Sequence, residues 1–417
     1  MKFKTFLKSN SDFLKNIFIS TVIGVCASFL NYYFNVLLAR NLPSSEFGIY
    51  SAALGIISII QVPSLAISSA VTKFVAGNRG KNLKIFKKDL FKKFFIIAFI
   101  FSVLFFILSP VISDISNIPQ KYMFPLTIVL FLSFFNPLTK GILYGLEKPN
   151  KGNFLNLTES VLKICIGFLA INIYRGDATL PILAHGLPLI LTGILIYPFI
   201  GNIQDKGNIH GSINFKNVIL YFFLFVFLSI PYTLDLSLVN SEFRPEYSAL
   251  SLIGKIVYFA SIMITSVMFS KAANLKDKRE RRKVLNISLY IALFIGVCLS
   301  LLYWFIPEYI NNFVYGGKYP EITEYLGIYG LGMTLYASTY LIYNYFIIEN
   351  FIRSIYWLIF TAIIQILLFF FRNDSLEHVV QNQLFLYILM FLGSIILLKI
   401  YVRKMDDTGI EPVTSTM

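Results

Sequence analysis

The sequence predicts an all-α membrane protein, about twelve transmembrane helices in two six-helix lobes with both termini on the cytoplasmic side. Three observations predict it: the composition, the recurrence of apolar segments at helical length, and the sorting of basic residues between alternate loops. Of the 417 residues, 56% are hydrophobic, 17% aromatic and only 14% charged. The mean hydropathy of +0.70 excludes a soluble core inside a charged shell.

A hydrocarbon layer about 30 Å thick needs about 20 apolar residues per helix. Segments of that kind run from Ile17 to Leu38, Gly48 to Ala70, Phe94 to Ile112, Tyr122 to Gly145, Phe154 to Ile173 and Ala178 to Ile200 in the first half. In the second half they run from Val218 to Val239, Tyr247 to Ser270, Val284 to Ile306, Tyr325 to Ile348, Ser354 to Phe371 and Gln383 to Tyr401. Helix is the element expected, because open strands leave backbone groups unpaired in lipid. The first segment is too long for a signal-peptide core and lacks a small-residue cleavage site, so it is expected to stay as a span.

The net charge of +14 sits in short runs between the apolar segments, which excludes a nucleic-acid role and sets orientation instead. One set of loops carries Lys73 to Lys93, Lys148 and Lys151, Lys206 and Lys216, Lys271 to Lys283, and Arg353. The opposite loops carry one basic residue each, namely Arg40, Lys121, Arg175, Arg244, Lys318 and Arg372. The first set is read as cytoplasmic, together with both chain ends. Its two largest runs are also expected to attract anionic lipid headgroups.

Domain boundaries follow from composition. Residues 1–200 form the first lobe, 201–217 (GNIQDKGNIHGSINFKN) a polar cytoplasmic linker, 218–405 the second lobe and 406–417 a polar, unpatterned tail expected to be disordered. Glu46, Phe47, Gly48 and Ser51 are echoed by Glu246, Tyr247, Ser248 and Ser251, which suggests two parallel repeats. Cys26, Cys165 and Cys298 fall in apolar segments at unrelated spacings, so disulfides and metal sites are not expected and packing as small hydrophobes is. No phosphate-binding loop is present and His185, His210 and His378 stand far apart, so neither an ATPase nor a metal site is read, and no cofactor.

Charges inside spans carry the functional reading, since each costs at least about 2.5 kcal/mol at a helix centre and must face a partner or water. Glu159 and Lys163 are spaced i, i+4 in the order that favours a helical ion pair, and Lys140 lies at comparable depth in the preceding span. Asp235 and Lys255 stand at similar depth in the seventh and eighth spans and are placed to pair. Two readings stand: lysines forming a cationic wall for a phosphate group with the acids as ion-coupling sites, or snorkelling and structural clamps. Polar residues recur at helical spacing in Ser28, Asn31 and Asn35, in Gln61, Ser64 and Ser68, and in Ser248, Ser251 and Lys255. Each set reads as one wet face lining a cavity, or as small polar packing. Prolines at 63, 125, 137, 188, 198 and 231 are expected to bend their spans.

The stretch Ala39 to Gly55 (ARNLPSSEFGIYSAALG) resembles the start of Wzx-type polysaccharide and oligosaccharide flippases, with further echoes at Gly141 to Lys148 (GILYGLEK), Asp235 to Ser251 and Phe313 to Tyr319 (FVYGGKY). That family lies in the multidrug/oligosaccharidyl-lipid/polysaccharide exporter superfamily, which also holds drug/cation antiporters and lipid II flippases. The resemblance implies two lobes around a central cavity and passage of an undecaprenyl-pyrophosphate-linked sugar unit across the cytoplasmic membrane. It implies service to a surface polymer such as O-antigen or capsule, with a polymerase and glycosyltransferases as partners. Charged residues are expected on the first, second, seventh and eighth spans; Asp235 and Lys255 match in place, whereas the first two spans carry Arg40 and Lys73 only at their ends. The expected substrate contacts are thus Lys255, Lys140 and Lys163, with Asn31, Asn35 and Gln61, and the expected ion-coupling acids Asp235 and Glu159. A multidrug/cation antiporter of the same fold is the alternative, disfavoured by the surplus of lysine inside the spans. A membrane-embedded enzyme is the third class, disfavoured because His185 has no acid near it in sequence.

Overall fold

The computed structural model describes residues 11–61, 67–68, 71–72, 74–75, 83–146, 148–173, 176–200, 215–275 and 277–408. Pro63, Ser64, Lys73, Arg175, Lys276, residues 201–214 of the linker and 409–417 of the tail lie outside them. Described residues are helix and turn without a strand, and contacts group the chain into two units, Met1–Val226 and Phe227–Met417.

The first unit begins with α1 (Ser11–Asn41), α2 (Ser44–Gln61) and α3 (Leu83–Ile107), followed by α4 (Ser109–Ser116). Leu108 breaks α3 from α4 with a bend of 64°, and Pro110 in the first turn of α4 explains it, since its ring cannot continue the preceding ladder. Two further apolar segments are interrupted by short turns but continue as single apolar helices. The fourth divides into α5 (Met123–Ser133) and α6 (Asn136–Gly145), with Pro137 opening the second piece. After α7 (Pro149–Asn172), the sixth divides into α8 (Thr179–Leu183) and α9 (Leu187–Ile200), with Pro188 in the first turn of α9.

Two glycines decide how tightly this unit closes on α6. A Cβ on Gly141 would lie 2.8 Å from the carbonyl oxygen of Ser68 and one on Gly145 2.6 Å from Val75, so Ser68, Val71, Thr72 and Val75 rest directly on the backbone of α6. Val71, Val75, Phe94, Leu138, Ile142, Leu143 and Leu155 form the apolar core that results. At the other end, the Tyr122 hydroxyl donates to Glu46 Oε2 at 2.6 Å and the Ala178 amide to the same oxygen at 2.9 Å. One carboxylate thereby joins three loops.

The division between the units falls within α10 (Phe215–Thr233). The second unit continues through α11 (Asp235–Leu238), α12 (Arg244–Asn274), α13 (Lys278–Phe305), α14 (Pro307–Tyr315), α15 (Leu326–Ile348), α16 (Ile355–Phe371) and α17 (Leu376–Thr408). Helix α15 is buried along most of its length among α12, α13 and α17.

Helix α13 shows how the solvent of this protein was chosen. Its buried face is Ser288, Ala292, Gly296 and Ser300, while Tyr290, Phe294, Leu301 and Phe305 are exposed. Small residues inward and large apolar residues outward is the inverse of a water-soluble helix and the arrangement that lipid favours. Among the described residues six helices are long and apolar enough to cross a membrane, seven if α3 and α4 make one span, and three shorter apolar helices accompany them. The chain is a multi-pass membrane protein.

The cysteines depart from the expected packing. Cys26, Cys165 and Cys298 are free thiols on exposed faces rather than small hydrophobes in the core. In lipid an outward thiol meets a medium as apolar as the interior, so little drives it inward. The tail also differs over its first residues, because α17 carries regular helix through Asp406 and Asp407 to Thr408.

Candidate functional site

In the first unit the charged residues of α6 and α7 converge. Lys140 on α6 lies 3.5 Å from Glu159 on α7, with side-chain exposures of 20% and 9%, and the Thr192 hydroxyl on α9 donates to Glu159 at 3.3 Å. The spacing that suggested a Glu159–Lys163 pair along one helix is not used. Glu159 turns across to α6, and the Lys163 ammonium donates to Asn31 Oδ1 on α1 at 3.0 Å. The other half of that amide donates to Ser160 at 2.5 Å.

The same face of α1 continues into a second chain of bonds. The Tyr50 hydroxyl on α2 donates to Asn35 Oδ1 at 2.7 Å and lies 2.9 Å from His185 Nε2. Because the hydroxyl proton is committed to Asn35, the imidazole must be the donor to Tyr50. Sequence reasoning set His185 aside for want of an acid nearby, and its partner is a tyrosine 135 positions earlier. Gln61 donates to Ser133 on α5 at 3.2 Å. Ser28, the remaining member of the α1 face, bonds back to the Gly24 carbonyl at 2.9 Å.

In the second unit Pro231 lies in the last turn of α10, which ends at Thr233, and the chain restarts at Asp235. The carbonyl oxygen of Pro231, freed by the break, accepts from Gln383 at 2.5 Å, Gln365 at 3.3 Å and Tyr387 at 3.3 Å. Asp235 is wholly buried and accepts from the Tyr247 hydroxyl at 2.7 Å and the Leu236 amide at 2.9 Å. The buried face of α12 runs Ser248, Ser251, Lys255, Tyr258, Ser261 and Thr265, longer than the three residues first identified.

Asp235 and Lys255 do not form the expected pair. The ammonium of Lys255, on a side chain only 9% exposed, sits 4.4 Å above the ring centroid of Tyr232. Asp235 attracts it electrostatically, but the carboxylate is engaged by Tyr247 and the Leu236 amide, and no carboxylate among the described residues reaches it within ion-pair distance. Tyr232 is itself held by two further rings. Its ring stacks on Tyr336 at 5.3 Å and 9° and leans on Tyr258 at 4.6 Å. Tyr340 and Tyr387 extend the cluster, at 5.4 Å from Tyr258 and 5.2 Å from Tyr336.

A further close approach fixes this arrangement. A Cβ on Gly254 would stand 2.2 Å from the Tyr329 ring, so α12 and α15 meet where Lys255 emerges. No group of three His, Cys, Asp or Glu side chains with the geometry to hold a metal ion occurs among the described residues.

No protein-family model and no curated protein matches the sequence. Solved structures do match its fold. A structure described as lipid II flippase MurJ in an inward closed conformation superposes with a TM-score of 0.72 at 18% identity, covering 92% of this chain and 87% of that one. An inward-facing multidrug resistance MATE family transporter of the MOP superfamily gives a TM-score of 0.67 at 12% identity over 94% of this chain and 99% of the other. A MATE crystal structure in complex with MaL6 gives 0.63 at 14% identity over 94% and 97%. At these identities the fold is what is shared.

Proposed function

We propose that this protein is a flippase that moves undecaprenyl-pyrophosphate-linked oligosaccharide units across the cytoplasmic membrane by alternating access, driven by an ion gradient. In this reading the chain has twelve spans with both termini cytoplasmic, two six-span lobes joined at 201–217, and a product that enters a surface polysaccharide. Glycosyltransferases would supply its substrate and a polymerase would consume its product.

The observation that carries the reading is the ammonium of Lys255, which no carboxylate among the described residues reaches within ion-pair distance. A charge held in a span is expected to have a counter-ion or water, and here its close contact is an aromatic ring, which leaves all three N–H donors for an anion. A phosphate oxygen supplies both charge and acceptors. Lys140 and Lys163 add positive charge in the first unit, the former a fifth exposed, with Asn31 and Asn35 beside them. Glu159 and Asp235 are the proposed ion-coupling acids. A fold shared with a lipid II flippase is consistent with a lipid-linked, anionic substrate.

Replacement of Lys255 by Ala is expected to abolish export of surface polysaccharide while leaving membrane levels of the protein unchanged. Full export in that strain would remove the assignment. A second reading, a cation antiporter, is favoured by one feature, the buried carboxylate of Asp235 among tyrosines. It requires that overexpression raise resistance to cationic drugs and that Asp235→Asn, not Lys255→Ala, cancel it.

A further inference from the structure

The structure assigns Tyr232 as a positioning residue that seats Lys255 without neutralising it, a role that rests on the flippase reading of Lys255 given above. An ammonium buried in a helix bundle is usually fixed by a carboxylate, which uses its donors and cancels its charge. A ring fixes it differently. The negative face of an aromatic attracts the cation over a distance of about 6 Å or less, yet it is neither a hydrogen-bond acceptor of carboxylate strength nor a counter-ion. The 4.4 Å seat on Tyr232 therefore holds the head of Lys255 in place while its N–H groups and its charge stay free for a phosphate.

The surroundings support a seat rather than a passing contact. The ring has no freedom to follow the lysine, because Tyr336 is stacked on it and Tyr258 leans against it. Tyr258 is three residues after Lys255 on α12, so the helix that carries the cation also braces the ring below it. Tyr336 in turn donates its hydroxyl to the Leu228 carbonyl at 3.0 Å, tying α15 to α10 one turn before Tyr232. The carboxylate of Asp235 is engaged by the Tyr247 hydroxyl instead of by the ammonium. Lysine, ring and brace thus come from α12, α10 and α15, three helices that must be packed together before the site exists.

The test is binding of undecaprenyl pyrophosphate to the full-length protein in detergent micelles, with wild type, Lys255→Met, Tyr232→Phe, Tyr232→Leu, and Tyr232 replaced by phenylalanines bearing one to three ring fluorines. Tyr232→Phe keeps the ring face and is expected to bind within about twofold of wild type, whereas Tyr232→Leu is expected to weaken binding about fivefold or more. The fluorinated series should lose affinity stepwise with each fluorine, a gradation that ring electrostatics produces and that packing alone does not. Equal affinity across the fluorinated series, or a Tyr232→Leu protein that binds like wild type while Lys255→Met does not, would overturn the seat and leave the flippase reading standing. Unchanged binding in Lys255→Met, or no binding by wild type, would overturn both.

Discussion

At the scale of single residues, the ion pair between Lys140 and Glu159 makes a measurable claim. Glu159 is buried, and removing it strands Lys140, while the Thr192 hydroxyl keeps the Leu189 carbonyl at 3.2 Å; Glu159→Ala is expected to cost about 1–3 kcal/mol, read as a lowered melting temperature in detergent. Lys140→Met should recover part of that loss in the double variant, because the two residues share one interaction. Asp177 gives a pH-dependent claim. Burial pushes its carboxyl up, but hydrogen bonds from Thr179 and Lys121 outweigh this and hold it at about 2, below its ordinary 3.8. A depressed folded-state value contributes stability above 3.8 that disappears as pH falls toward 2. The melting-temperature gap between wild type and Asp177→Asn should therefore be open at neutral pH and close across that interval. Residues of this kind were legible in the sequence only when their charge was out of place. Lys140, Glu159, Asp235 and Lys255 stood out because lipid penalises them, whereas Tyr232 and Tyr50 did not, since a chain with 25 tyrosines offers no reason to single out one. The signal available was the density of tyrosine in the tenth apolar segment, with Tyr325, Tyr329, Tyr336, Tyr340, Tyr343 and Tyr345.

At the scale of elements, the apolar segments coincide with helices because hydropathy and helix share one cause, the need to pair every backbone group inside lipid. What hydropathy does not carry is where a helix breaks. The breaks at Leu108, 134–135, 184–186 and Leu234 each lie within a few residues of a proline, and three of those prolines were recognised. Pairing partners were less legible: the i, i+4 rule for Glu159 and Lys163 failed because a neighbouring helix offered each a better ligand. The break after Pro231 is held by Gln365, Gln383 and Tyr387, which all donate to its carbonyl. Replacement of Gln383 by Leu removes the shortest of these bonds and is expected to cost about 1 kcal/mol, with a larger loss in the Gln365→Leu, Gln383→Leu double variant because the carbonyl then keeps only Tyr387. Thermal unfolding of both proteins checks it. Additive, equal losses from the two single changes would mean that they do not share the carbonyl as an anchor.

At the scale of the molecule, one prediction follows from the sorting of Lys and Arg together with α13 and its neighbours. Residues 279–283 at the start of α13 belong to a basic run, and Arg281 lies 3.2 Å from Glu349 at the end of α15, where the Tyr401 hydroxyl of α17 also arrives at 2.8 Å. Three helices of the second unit thus bring one end together around a carboxylate, and the proposed orientation, with the basic runs on the inner side, puts that end in the cytoplasm. Lys318 and Asn373 lie on connections at the far ends of α13 and α16, so they belong on the opposite side. With Cys26, Cys165 and Cys298 changed to Ser, a cysteine placed at Lys318 or Asn373 should react with a membrane-impermeant maleimide in intact cells. A cysteine at Arg279 should react only after the membrane is opened. Labelling of position 279 from outside and of 318 from inside would reverse the proposed orientation, and labelling of both from the same side would break the alternation on which the twelve-span reading depends and leave α13 unable to cross the bilayer.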